Sequence, residues 1–176
     1  PGERMGGLDP HKRLAQALAD VNENHSDALR IVITGDLTHW AEREAYEALR
    51  DVLAEQTIPV RLLVGNHDNR ETFLSVFPEQ VTDALGYVNY SEGIGDSTFI
   101  YLDSTQPRTH AGHFGADRCA WLQAELEKAE NARIFLHHNP MEIKLPAEDQ
   151  IALVVEDRQR FRVLLEEYKA KIDYIH

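Results

Sequence analysis

Apolar residues along this chain form two alternating kinds of pattern. Short runs rich in Ile, Val, Leu and Phe predict buried β-strands, and these runs cover 29–34, 60–64, 132–138 and 172–175. The segments between them predict helices, most of which space their apolar residues for one face; they cover 9–22, 41–55, 70–76, 117–129 and 157–169. In the first helix, Asp9 is placed to cap the start and Pro10 to occupy the first turn.

The pattern changes after Pro78. The stretches "GYVNYS" and "STFIYLD" predict two strands, and "EGIGD" between them predicts the turn of an antiparallel hairpin. Elsewhere, strands that alternate with helices favour an α/β fold with a largely parallel sheet, which the hairpin would make mixed. A length of 176 residues fits one domain spanning 1–176.

Composition narrows the class of protein. The chain is 43% hydrophobic and 27% charged, which is ordinary for a globular domain, and its apolar runs fall well short of the roughly 18 residues of a membrane helix. A single cysteine, Cys119, excludes a disulfide framework and a cysteine-rich zinc site. It favours a reducing compartment, and we expect a cytoplasmic protein that does not bind membranes.

The net charge adds one restriction on partners. A formal charge of -12 argues against binding of duplex nucleic acid, which needs an excess of positive charge to contact the phosphate backbone. If the substrate is a phosphate ester, basic side chains are too few to hold it, and a metal cluster would have to do so.

Three predicted strands end in polar side chains, and the carboxyl ends of strands are where ligands collect in open α/β sheets. The first is "IVITGDLTHW", in which Gly35 allows a sharp turn and Asp36 projects from the sheet edge. Local capping or turn formation is the alternative role for Asp36. His39 could be a ligand, but we expect a surface residue.

The second strand end is "RLLVGNHDN". Asn66 offers a neutral oxygen ligand, His67 titrates near neutral pH and can exchange a proton, and Asp68 could orient the imidazole of His67. An ordinary turn is the alternative, because Asn and Asp both tolerate turn backbone.

The third strand end is "RIFLHHNP". Adjacent residues of a strand point to opposite faces, so at most one of His137 and His138 faces the site from the strand itself. Packed or surface histidines are the alternative. Together, the three ends bring Asp, Asn and His to one sheet edge, and oxygen and nitrogen ligands without thiolate suit Mn, Fe, Zn or Mg rather than a structural zinc site.

The blocks "GDLTHW", "GNHD" and "HHNP", in this order, resemble the signature of the calcineurin-like metallophosphoesterases, above all their bacterial cyclic-nucleotide phosphodiesterase and glycerophosphodiesterase branch. The stretches "YLDSTQPRTHAGHFGADRCAWLQAEL" and "FRVLLEEYKAKIDYIH" are also similar to that branch. The resemblance covers nearly the whole chain. It implies a four-layer αββα sandwich of two mixed sheets flanked by helices, with two divalent metal ions at one edge.

The resemblance also implies roles for four residues. Asp36 resembles the aspartate that bridges both metals, while Asn66 and His137 resemble ligands of the second metal. Asn66 and His67 would contact the substrate phosphate, and His67 would act as the catalytic histidine that stabilises charge or protonates the leaving group. The loop from 105 to 115, with His110 and His113, either shapes the substrate pocket or is a solvated connection.

Two blocks of the family pattern are absent from this sequence. An Asp-x-His block would lie just upstream of Pro1, and a Gly-His-x-His block should begin just after His176. As written, the chain therefore supplies a partial site. Because the three blocks present are intact, we expect a domain cut at both ends, without its first strand and its C-terminal part, rather than a degenerate enzyme.

Two hypotheses of function follow. The favoured one is a dinuclear metal-dependent phosphodiesterase that hydrolyses a cyclic nucleotide or glycerophosphodiester by attack of a metal-bound hydroxide. The other is a non-catalytic α/β interaction domain that has lost metal binding. The expected partners are the small phosphodiester and, as an open alternative, a second copy of the chain in a homodimer.

Overall fold

The computed structural model describes residue 4 and residues 6–176. These residues form six helices and six strands. The helices are α1 Pro10–Asn24, α2 Arg43–Leu53, α3 Arg70–Val76, α4 Ala116–Lys128, α5 Pro146–Ile151 and α6 Val155–Tyr168. The strands are β1 Ile31–Ile33, β2 Val60–Leu62, β3 Tyr90–Ile94, β4 Ser97–Leu102, β5 Asn131–Leu136 and β6 Ile172–Ile175. Helices and strands alternate except that β4 follows β3 and α6 follows α5.

The strands form two sheets. In the described residues β1 and β2 make a parallel pair, and the second sheet has the order β3-β4-β5-β6. In that sheet β3 and β4 are antiparallel, whereas β5 lies parallel to both β4 and β6. The structure confirms the expected α/β class with two sheets and flanking helices.

The four-stranded sheet lies between two apolar clusters because successive side chains of a strand point to opposite faces. On β4, Phe99 and Tyr101 join the cluster that includes β2, α2 and α3. Ile100 and Leu102 join the other cluster, which includes α4 and α6. One continuous apolar strand thus supplies side chains to two cores, which explains why its sequence shows no polar alternation.

Some elements differ from the predicted boundaries. The predicted turn "EGIGD" is largely strand: Glu92 to Ile94 belong to β3, and the chain turns at Gly95, whose φ is +64°. Helix α5 lay outside the sequence prediction, since six residues give too few turns to show a period. Strands β1 and β5 stop before Asp36 and His137, which leaves these residues in loops.

A charged cluster joins the two sheets. Glu92 of β3 pairs with Arg30, which precedes β1, at 2.9 Å and with Arg61 of β2 at 2.6 Å, and it accepts a hydrogen bond from the Tyr101 hydroxyl of β4 at 2.9 Å. Burial alone would raise the pKa of Glu92, but hydrogen bonds from the two arginines and the tyrosine outweigh it and lower the pKa to about 2. The pairs therefore stabilise the contact between the sheets.

No helix of the described residues combines the length and the apolar character needed to cross a bilayer.

Candidate active site

The loop after β1 is shaped by backbone that few residues adopt. Gly35 has φ +113°, and Asp36 lies in the left-handed region at φ +51°. A Cβ atom on Gly35 would lie 2.7 Å from Nδ1 of His137 and 2.8 Å from the backbone nitrogen of Gly65. Glycine is therefore required here for two reasons, its backbone angle and the lack of space. The Asp36 carboxylate is exposed at the end of this turn.

A second glycine brings the next loop against the first. Gly65 follows the buried residues Leu62, Leu63 and Val64. A Cβ atom added to Gly65 would overlap both the carboxylate and the backbone nitrogen of Asp36. The His67 backbone N–H donates to Oδ1 of Asp36 at 3.1 Å. The two loops thus pack backbone to backbone, which places Asn66 and His67 beside Asp36.

The three predicted ligand side chains lie together. Nε2 of His137 is 2.9 Å from Oδ1 of Asn66 and 3.3 Å from Oδ1 of Asp36. These atoms come from the ends of β1, β2 and β5, so the convergence expected at the strand ends is present in the structure. Their roles as ligands stay a prediction.

The chemistry of this donor set favours a bound cation. His137 Nδ1 lies 3.0 Å from the carbonyl oxygen of Thr34, so Nδ1 carries a proton that it donates to that oxygen. The other ring nitrogen, Nε2, faces two oxygens, those of Asp36 and Asn66, and with a bound cation its lone pair would point at the ion. Atoms that ligate one ion at about 2.0–2.2 Å lie about 3 Å apart, which matches the observed spacing. The three donors therefore fit a divalent metal ion, and the Thr34 contact is a typical outer hydrogen bond of a histidine ligand.

Within the described residues, no group of three or more His, Cys, Asp or Glu side chains is placed to hold a metal ion. Asp36 and His137 supply two such side chains, and the third donor is the amide of Asn66. A site built from these three donors alone is a partial one.

The sequence suggests that Asp68 orients the imidazole of His67, but the structure shows no such contact. Its carboxylate accepts from the backbone nitrogens of Gly65 at 2.8 Å, Leu37 at 3.0 Å and Thr38 at 3.2 Å, and from the Tyr46 hydroxyl at 2.9 Å. Burial raises the pKa of Asp68, although these donors oppose the shift. Asp68 fastens the loops after β1 and β2 to each other, so its role is structural.

The imidazole of His67 is oriented by His39 instead. Nδ1 of His67 lies 2.9 Å from the carbonyl oxygen of His39, and the two rings stack with centroids 5.0 Å apart. The expectation that His39 is a plain surface residue is therefore wrong: it is half-buried and packs between His67 and the exposed Trp40. Sequence alone gave no signal for this contact.

The two histidines of "HHNP" point in different directions, with ring planes at 89°. His138 is buried, and its Nδ1 lies 2.7 Å from the Ser104 hydroxyl while Nε2 lies 3.2 Å from the carbonyl oxygen of His110. Burial, assisted by the neighbouring His137, lowers the pKa of His138 to about 4. His138 is therefore a neutral buried histidine that supports the loop of His110.

The loop from 105 to 115 approaches the site through one of its two histidines. The ring of His110 lies 5.3 Å from that of His67, and Nδ1 of His110 is 2.9 Å from Nδ2 of Asn66. His113 points elsewhere and lies 3.7 Å from the Asp157 carboxylate.

A cavity of about 480 Å³ opens beside Asp36 and His67. Its far wall is made of apolar side chains from α1 and α2, among them Leu14, Ala45 and Leu49. Polar side chains line the same cavity, among them Asp36, His67 and Glu42.

Comparison with known proteins identifies the family of the chain. Residues 7–175 match the family described as calcineurin-like phosphoesterase. The chain belongs to this family. Calcineurin-like phosphoesterases generally use divalent metal ions, and the Asp36, Asn66 and His137 donors fit such an ion.

Several curated relatives of this chain are named as phosphodiesterases. A probable cyclic nucleotide phosphodiesterase of Rhodopseudomonas palustris is 37% identical over 163 residues, covering 90% of this chain and 60% of the relative. A glycerophosphodiester phosphodiesterase of Enterobacter lignolyticus is 25% identical, covering 95% and 61%. A cAMP/cGMP dual specificity phosphodiesterase of Mycobacterium tuberculosis is 28% identical, covering 88% and 49%. The chain thus spans about half to three fifths of the length of these relatives.

Proposed function

We propose that the protein carrying this chain is a metal-dependent phosphodiesterase that hydrolyses a small phosphodiester. The observation that supports this most is the meeting of Asp36, Asn66 and His137, whose donor atoms lie 2.9 and 3.3 Å from one another at the ends of three strands. The names of the relatives supply the reaction class, and several of them name cyclic nucleotides. A glycerophosphodiester is the second substrate class under this proposal.

In this proposal, Asp36, Asn66 and His137 hold a divalent ion of the Mn, Fe or Zn type, and a second ion completes the centre. Such ions supply positive charge to the phosphoryl oxygens and activate water at neutral pH. The excess of acidic residues is then no obstacle to an anionic substrate, since divalent ions reverse the local field.

His67 acts on the substrate side of the site. Because its Nδ1–H donates to the carbonyl oxygen of His39, Nε2 is the nitrogen that can hold or release a proton toward a phosphoryl oxygen or the leaving alcohol. The backbone contact to Asp36 and the stacked ring of His39 keep this imidazole in one orientation.

The Asp36→Ala variant tests the proposal. We expect the protein that carries this chain to bind Mn²⁺ and to hydrolyse cyclic AMP or bis(p-nitrophenyl) phosphate. Asp36→Ala should lose measurable turnover and bind less Mn²⁺, because it removes the negatively charged donor. Unchanged turnover in this variant would contradict the assignment.

The alternative function is a non-catalytic interaction domain. It is favoured by one observation, that the described residues contain no cluster of three or more His, Cys, Asp or Glu side chains suited to a metal. Absence of both metal binding and hydrolysis in the protein that carries this chain would support it.

A further inference from the structure

We propose that His110 is a positioning residue, which holds the amide of Asn66 so that its oxygen faces Asp36 and His137. The hydrogen bond between Asn66 and His110 is present in the structure. Its consequence for metal binding rests on the function proposed above.

The contact constrains which atom of the amide faces the site. Nδ2 of Asn66 can only donate, and it lies 2.9 Å from Nδ1 of His110, so that ring nitrogen must accept and the His110 proton resides on Nε2. On the other side, Oδ1 of Asn66 lies 2.9 Å from Nε2 of His137. A half-turn of the amide would present two N–H groups, which cannot ligate a metal, to the position between Asp36 and His137. The half-turn would also bring Oδ1 against the unprotonated Nδ1 of His110, so it requires the His110 proton to move from Nε2 to Nδ1, and the amide orientation is coupled to the His110 tautomer.

The backbone of His110 is itself fixed from the interior. Its carbonyl oxygen faces Nε2 of the buried His138 at 3.2 Å, and Nδ1 of His138 faces the hydroxyl of the buried Ser104 at 2.7 Å. The hydroxyl donates to Nδ1, which leaves Nε2–H as the donor to His110. The second histidine of "HHNP" thus supports the loop of His110, while the first faces the candidate metal position.

The residues that follow His110 are clamped as well. The Gly112 backbone N–H donates to the Ala152 carbonyl at 3.1 Å, and the Val154 N–H donates to the Gly112 carbonyl at 2.8 Å. Gly112 passes so close to His138 that an added Cβ would overlap the imidazole. The exposed ring of His110 is therefore carried by an anchored segment of backbone, and it can act as a fixed acceptor.

The first part of the test observes the amide directly by NMR of the ¹⁵N-labelled full chain without metal. In the wild-type protein we expect the Asn66 side-chain NH₂ protons to exchange slowly with solvent. In His110→Ala, their exchange rate and chemical shifts should become those of a free exposed amide. His110→Gln, whose side-chain oxygen can accept the same bond, should restore the protection. His113→Ala is the matched control on the same loop and should leave the Asn66 signals unchanged.

The second part measures Mn²⁺ affinity by calorimetry. Loss of an outer hydrogen bond to a ligand typically weakens metal binding about 10–100-fold, so we expect at least about a 10-fold loss for His110→Ala and recovery to within about 3-fold for His110→Gln. Unchanged Asn66 signals in His110→Ala would overturn the inference. If His110→Ala alters the Asn66 signals and raises KM but leaves the Mn²⁺ affinity unchanged, His110 is a substrate contact and the inference is wrong. If the wild-type protein binds no Mn²⁺, the proposed function fails, while the NMR result still decides the hydrogen bond.

Discussion

At the level of single residues, the site depends on two glycines as much as on its polar side chains. Gly35 and Gly65 let two loops approach until the Asp36 carboxylate lies against the backbone of the Gly65 loop. Neither position has room for a Cβ atom, so a methyl group there must push the loops apart. The polar groups can converge only because these two positions have no side chain.

Gly65→Ala should therefore damage the site although it removes no functional group. We expect at least a 10-fold loss of Mn²⁺ affinity and a loss of about 1–3 kcal/mol in the free energy of unfolding, because the added methyl overlaps Asp36. Calorimetry and urea unfolding measure these effects. Gly93→Ala is the control, since a Cβ on Gly93 meets no other residue, and it should leave metal affinity unchanged. Equal metal affinity in the two variants would refute the role of this close approach.

His67→Ala separates chemistry from metal binding. Because the imidazole of His67 contacts the backbone of His39 and not the three donor atoms, its removal should leave Mn²⁺ affinity nearly unchanged. Turnover should fall by about 10²–10⁴-fold, the usual contribution of a general acid or base. Steady-state kinetics and metal titration on the same preparation provide the comparison. A loss of metal in proportion to the loss of turnover would instead make His67 a ligand.

At the level of elements, the two sheets share an apolar cluster, and one carboxylate adds a charged contact between them. Glu92 connects β3 to Arg30 and Arg61 on the side of the two-stranded sheet, and its side chain is only 18% exposed. Pairs this well shielded lose less to solvent screening than exposed ones. The contact between the sheets should therefore be sensitive to the charge of Glu92.

The predicted signature is a pH-dependent stability. The pKa of Glu92 lies near 2 in the folded protein, below its ordinary value of 4.5, so the unfolded chain binds this proton more tightly. The contribution of Glu92 is thus complete above pH 4.5 and disappears as the pH falls from 4.5 toward 2. Urea unfolding should show Glu92→Gln to be about 1.5–3 kcal/mol less stable than wild type at pH 7, the usual net contribution of a hydrogen bond to a charged group.

The difference in free energy of unfolding between wild type and Glu92→Gln should shrink steadily below pH 4.5. A packing defect would not produce this dependence on pH. Glu47→Gln serves as the control, because its pair with Arg43 is exposed and should contribute less than about 0.5 kcal/mol. A difference between wild type and Glu92→Gln that stays constant from pH 7 to pH 3 would rule out the ion pairs as the cause.

The elements were predictable from the sequence to the extent that their residues repeat a period. The apolar strands and the spaced helices are found close to their predicted positions, and α3 coincides with the predicted 70–76. Contacts between distant loops were not predictable. The sequence predicts that Asp68 orients the neighbouring His67, yet the carboxylate accepts from backbone nitrogens about thirty residues away and from one in its own turn. The contact between His39 and His67 likewise joins two loops, 28 residues apart in sequence.

At the level of the whole molecule, the fold explains how one edge can collect charged groups. The four-stranded sheet is held between two apolar clusters, and the polar side chains of the candidate site lie in the loops that follow β1, β2 and β5. With a formal charge of -12, a phosphodiester is repelled unless cations are bound. Metal binding is therefore the feature on which the proposed activity depends.

The most direct measurement is the anomalous scattering of a Mn²⁺-soaked crystal of the protein that carries this chain. We predict a peak at about 2.0–2.3 Å from Oδ1 of Asp36, Oδ1 of Asn66 and Nε2 of His137 together, and its loss in Asp36→Ala crystals. A peak bonded to other residues, or no peak at these three atoms at saturating Mn²⁺, would contradict this prediction.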